Sequence, residues 1–156
     1  MTVLDEIYNP RILELAANIP LGRRLEHPLA SASAHSKLCG STVSVDLNMV
    51  QDVVTGYGQS VKACLLGQAA SSIMARNVIG ASADELREVG AVMRDMLKRG
   101  GPPPNGKWSD LEVLEPVREF KARHASTLLV FDAVEDAIAQ IEAQASSPAA
   151  DPGRVR

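Results

Sequence analysis

Val43, Val45 and Leu47 alternate with Thr42, Ser44, Asp46 and Asn48, and Cys39 shares the apolar parity. That period of two predicts a half-buried strand with Cys39 near its start, roughly on the buried side. Asn48 to Asp52 reads as a turn, and Val53 to Lys62 returns with Val, Thr and Tyr, so the two segments form an antiparallel meander. Extended character from Leu25 to Ala34 adds one weak strand. Gly56 and Gly58 mark a bulge or a close backbone approach.

Elsewhere the period lengthens to three and four. Thr2 and Asp5 fit a helix start ahead of Leu4, Ile7, Ile12 and Leu15, in a short amphipathic helix interrupted near Pro10 and finished by Asn18 to Pro20. The run Leu65 to Ala75 is Ala, Ser, Leu and Met, a composition that favours a helix in close contact with a sheet. Ser82 and Glu85 make a capping box before Leu86, Val89, Met93 and Leu97, and Gly100 and Gly101 end that helix. Pro102, Pro103 and Pro104 require an extended loop, after which Ser109 and Glu112 repeat the capping-box spacing. Leu128, Phe131, Val134, Ile138 and Ile141 form one apolar stripe on a last helix, with His124 at or just before its beginning. Residues 144–156 contain Ser, Pro and Gly without periodicity, which predicts a disordered tail after a single domain spanning 1–143. Strands followed by helices predict an α+β fold, a three-stranded antiparallel sheet with helices on one side.

Composition narrows the function classes. A chain of 156 residues is the size of one domain, and 46% hydrophobic residues with a net charge of −3 offer no basic excess for nucleic acid. No apolar stretch approaches membrane-spanning length and no signal segment opens the chain, so a cytoplasmic protein is expected. Two Tyr, two Phe and one Trp are too few for a base-stacking platform. There is no Gly-x-Ser-x-Gly elbow, and Gly56-Tyr57-Gly58 lacks the remaining glycine of a nucleotide loop. The acidic residues between Glu112 and Glu119 read as a solvated helix face.

Chemistry therefore concentrates on the two cysteines. In a reducing compartment both are free for metal or sulfur chemistry. Cys64 falls at a strand-to-helix junction, where backbone N–H groups favour the thiolate, the form that binds metal or attacks sulfur. Cys39 and Cys64 stand at strand ends of one meander and can converge; the alternative is a pair of small buried hydrophobes. His124 is a metal ligand on one reading and a backbone-capping or solvated histidine on the other. His35, four residues before Cys39, can approach the same place, and Ser41 either hydrogen-bonds a sulfur or lies at the strand edge.

Three segments carry a family resemblance. Leu38-Cys39-Gly40-Ser41, leading into the alternating strand, resembles the first cysteine motif of the IscU/SufU/NifU amino-terminal iron–sulfur cluster assembly scaffolds. Ala63-Cys64-Leu65-Leu66-Gly67-Gln68-Ala69-Ala70 resembles the second, with Asn9-Pro10-Arg11 ahead of both. Leu114-Glu115-Pro116-Val117-Arg118 and then His124-Ala125-Ser126 are similar to the third. The family's third cysteine falls on Ala125 and the aspartate after its first cysteine falls on Ser41, so this is a divergent member by its ligands.

The resemblance implies a SufE/IscU-like fold and a non-enzymatic scaffold or carrier. Cys39 and Cys64, with His124, would hold iron, zinc or a transient [2Fe–2S] cluster, and the partners would be a cysteine desulfurase and cluster-acceptor proteins, not nucleic acid or membrane. Two thiolates fall short of the four ligands a cluster needs, which points to dimerisation on cluster binding. Two alternatives keep the same fold: a sulfur acceptor carrying a persulfide on Cys64, and a degenerate interaction module whose cysteines are structural.

Overall fold

The computed structural model describes residues 9–37 and 40–146. Helix α1 (Pro10–Ala17) starts where an interruption was expected: Asn9 accepts the Ile12 N–H and Pro10 occupies the first turn. The missing proline N–H has no helical partner at that position, so Pro10 opens a helix as readily as it would break one. The proposed cap at Thr2 and Asp5 lies outside the described residues.

Strands β1 (Ala30–His35), β2 (Thr42–Val50) and β3 (Val53–Lys62) form one antiparallel sheet in sequence order. β1 is shorter than the Leu25 to Ala34 span expected of it, because the segment before it is used differently. Arg23 to Leu29 wraps from the β3 edge onto the polar face of the sheet: Gln59 N–H donates to the Arg23 carbonyl at 3.1 Å, and a Cβ on Gly58 would lie only 2.3 Å from that same oxygen. Gly58 is thus the close approach, while Gly56 follows the bulge. Asn48 pairs with Gly56 but Met49 pairs with Val54, which leaves Thr55 as the extra residue. The hairpin closes in two residues, Gln51 and Asp52, both at positive φ.

One carboxylate holds the wrapping segment. Asp46 is 1% exposed on the polar face and takes a bidentate pair from Arg24 at 2.7 Å, the Leu25 N–H at 2.9 Å and the Ser31 hydroxyl at 2.6 Å. Arg24, Ser31 and the Leu25 amide stabilise the charged form against the cost of burial and lower the Asp46 pKa from 3.8 to about 2.

The helices cover the other face, as expected. α2 (Leu65–Asn77) and α3 (Ala83–Arg99) pack with α4 (His124–Ser146), which lies against β1 and β2. The Ser82 capping box and the Gly100 left-handed cap bound α3 as the spacing predicted. α4 buries more than the single stripe expected: Leu129, Val130, Ala133 and Ala137 are inside as well, because helices lie on one side of it and the sheet on the other. Its last described turns reach the sheet edge, where Gln140 Nε2 donates to the Ser31 carbonyl and Gln144 Nε2 to the Leu29 carbonyl, each at 3.0 Å. The helix runs through Ser146, past the residue where the tail was expected to begin.

The second capping box yields no α-helix. Gly106–Glu119 is a 3₁₀ helix containing Pro116, and its buried residues Trp108, Leu111, Leu114 and Val117 recur every third position, the period of that helix. Glu85 ties it to α3 by accepting from Trp108 Nε1 at 2.8 Å and pairing with Lys107 at 2.9 Å. Among the described residues no helix is long and apolar enough to cross a membrane.

Asp46→Asn is expected to cost about 2 kcal/mol at neutral pH, measured by urea unfolding. Since the folded pKa lies below the unfolded one, the wild-type advantage should be complete above about pH 4 and vanish as pH falls through about 2. An unchanged midpoint in the variant at pH 7 would count against Asp46 as the anchor.

Candidate functional site

Three chain segments meet at one end of the sheet. The loop between β1 and β2 is closed by Ser36 N–H donating to the Ser41 carbonyl and Gly40 N–H donating to the Ser36 carbonyl, both at 2.9 Å, with Gly40 at φ +71°. β3 ends beside it, because Thr42 pairs with Lys62. Two residues on, Cys64 is the N-cap of α2, with extended backbone (φ −65°, ψ 171°) and a half-buried side chain. Across from it, α4 begins.

Cys64 is held from both sides. Its backbone N–H donates to Ser41 Oγ at 3.3 Å, and its Sγ lies 3.3 Å from Ser126 Oγ. Ser41 was expected to bond a sulfur or lie at the strand edge; the contact seen is to the Cys64 backbone, and it couples the β1–β2 loop to the start of α2. Ser126 is 1% exposed and also donates to the Arg123 carbonyl at 3.2 Å, which receives Thr127 Oγ1 at 2.8 Å as well. Gly67 sets the closeness of α2 and α4: a Cβ there would stand 2.8 Å from Ala63 Cβ and 3.0 Å from the Ser126 carbonyl.

Cys39 and its neighbour Leu38 lie outside the described residues. His124 opens α4 with its ring buried, and Nε2 sits 3.1 Å from the Val117 carbonyl and 3.2 Å from the Arg118 carbonyl. Carbonyls only accept, so Nε2 carries the proton and ties α4 to the 3₁₀ helix. Nδ1 is then the ring nitrogen with a lone pair to offer a metal. His35 Nδ1 is 3.0 Å from Thr42 Oγ1 across the β1–β2 pair. No group of three or more His, Cys, Asp or Glu side chains that could hold a metal occurs among the described residues.

Sequence reasoning passed over Ser126 as a site residue. The signal was its place immediately after Ala125, where the resembling family has a cysteine. Ala125 itself is exposed and lines a surface hollow with Lys98, Lys121 and His124.

Known proteins share this fold. No family model matches the sequence. A nitrogen-fixing NifU-like protein (N-terminal) from Brucella abortus is 59% identical, with a TM-score of 0.89 over 90% of this chain and 98% of that one. A putative iron–sulfur cluster assembly scaffold protein for the SUF system from Fervidobacterium islandicum AW-1 has the same fold at 18% identity, with a TM-score of 0.79 over 86% of this chain and 98% of that one. The iron–sulfur cluster assembly scaffold protein IscU of Streptococcus pyogenes serotype M1 is 25% identical over 100 residues, 64% of this chain and 63% of that protein's length.

Two substitutions probe the geometry. His124→Ala should cost about 1–3 kcal/mol without any metal present, since two carbonyls lose their donor. Gly67→Ala should cost about 1–3 kcal/mol by forcing α2 away from the start of α4. Thermal unfolding in the presence of chelator measures both, and unchanged melting would remove the structural role assigned to each residue.

Proposed function

The chain belongs to the IscU, NifU and SufU family of iron–sulfur cluster assembly scaffolds, and from that premise we propose that it receives iron and sulfide at Cys39 and Cys64 and passes the assembled cluster on. The observation that carries this is the position of Cys64: a half-buried thiol at a helix start, braced by Ser41 from the hairpin loop and by Ser126 from the last helix. Cys39 stands two residues before Ser41 in the chain, and Ser41 Oγ accepts the Cys64 N–H.

The donor set argues for a cargo that leaves. Two thiolates and the Nδ1 of His124 are three ligands, one fewer than a [2Fe–2S] cluster or tetrahedral zinc takes. A second copy of the chain, a desulfurase or an acceptor completes the shell, and the cluster departs when that ligand is exchanged. On this reading the protein is a non-enzymatic carrier of the cytoplasm, loaded by a cysteine desulfurase and dimeric while loaded.

Half-exposure of Cys64 also supports a second reading, in which it accepts sulfur from the desulfurase as a persulfide. Anaerobic reconstitution with ferrous iron and sulfide separates the two. The scaffold reading expects a visible chromophore that elutes with a dimer and is lost in Cys39→Ser and in Cys64→Ser. A colourless protein that gains one sulfur on Cys64 after incubation with desulfurase and cysteine would replace it with the second.

A further inference from the structure

The charges around Cys64 describe a partner. Six arginines, Arg11, Arg24, Arg87, Arg94, Arg99 and Arg118, sit in ion pairs with carboxylates. Lys107 is paired as well, and among the described residues Arg23, Arg76 and five further cations stand outside the pairs. Lys98 and Lys121, both exposed, face one hollow with His124 and Ala125, and neither is in an ion pair among the described residues. Lys62 is the last residue of β3, opposite Thr42; Lys37 lies in the loop that Ser36 and Ser41 close; Arg123 immediately precedes α4. These three are likewise outside the ion pairs of the described residues. On a chain of net charge −3, Lys37, Lys62 and Arg123 thus stand on or beside the segments that meet at Cys64, and Lys98 and Lys121 line the hollow that Ala125 shares.

We propose that this end is a docking surface for an acidic segment of a partner protein, seated in the Lys98–Lys121 hollow with the partner's sulfur-bearing group directed at Cys64. The link to the thiol is short. Ala125 lines the hollow, and the next residue, Ser126, touches Cys64 Sγ. Cations left unpaired at a cleft raise the local concentration of anionic partners and speed their encounter, an effect that salt screens. An acidic protein segment fits better than nucleic acid, since the cations surround a point and the chain as a whole is acidic, where a phosphate backbone calls for a basic stripe. The inference deepens the reading of Cys64 as the reactive thiol and rests on it.

The test uses the full chain without iron or sulfide, so its failure would leave cluster assembly to be judged by reconstitution alone. A decaglutamate peptide ending in cysteine activated as a pyridyl disulfide is compared with a neutral Gly-Ser peptide of equal length. In either case the Cys64 thiolate attacks the peptide sulfur, one S–S bond forms as the peptide–pyridine S–S bond breaks, and pyridine-2-thione leaves with the electron pair. Mass spectrometry of the digested protein at successive times gives the rate at Cys64 separately from that at Cys39, and release of the thione gives the total.

At about 50 mM salt the acidic peptide should modify Cys64 at least about fivefold faster than the neutral one. The ratio of the two rates cancels any change in the thiol itself. It should fall below about twofold in Lys98→Glu/Lys121→Glu, and stay at the wild-type value in Arg23→Glu, which alters an exposed arginine far along the chain. Equal rates for both peptides, or an equal loss in Arg23→Glu and in Lys98→Glu/Lys121→Glu, would overturn the proposal. A decathymidylate bearing the same activated disulfide and reacting faster than the acidic peptide would overturn it in favour of nucleic acid.

Discussion

The strand register of the β2–β3 hairpin is the constraint on which the site depends. Gln51 and Asp52 close the hairpin, and from there a strict ladder would pair every residue pair at a fixed sum. Thr55 breaks that ladder by one. Without the extra residue, Tyr57, Gln59 and Val61 would turn to the polar face and Gly58 to the core, because a slip of one residue inverts every side chain of a strand. With it, Tyr57 and Gln59 are buried and hydrogen-bonded to each other, Gly58 meets the Arg23 carbonyl, and Lys62 ends opposite Thr42. Cys64 and Ser41, twenty-three positions apart, become neighbours through that bulge.

Helix packing supplies the second half of the arrangement. α4 has to bury apolar surface towards the sheet and towards α2 and α3, so its start is fixed by contacts along most of its length. Gly67 permits α2 to approach that start closely enough for a serine hydroxyl to reach a cysteine sulfur. His124 then closes the link to the 3₁₀ helix through two carbonyls. Residues that look like separate sequence motifs are thus one mechanical unit.

Much of this was legible in the chain. Alternation in Val43, Val45 and Leu47 marked β2, the capping box at Ser82 marked α3, and the cysteine motifs marked the fold family. What the sequence concealed was context. Pro10 can break or begin a helix, and only the Asn9 cap decides. The box at Ser109 and Glu112 is locally a good helix start, yet the apolar period of three from Trp108 to Val117 and the proline at 116 impose the tighter helix. Asp46 reads as the polar half of an alternating strand; that it is buried under Arg24 depends on a segment arriving from outside the sheet, which no local pattern announces.

The two glutamines near the end of α4 have a bearing beyond the fold. An outer strand with unfilled backbone groups invites a neighbouring molecule to extend the sheet. Gln140 and Gln144 occupy carbonyls of β1 and of the residue just before it. A second copy therefore gains little by adding strand to strand along β1, and growth into open-ended chains of molecules is discouraged at that side. Association is left to side chains elsewhere on the surface, where it can be made and undone.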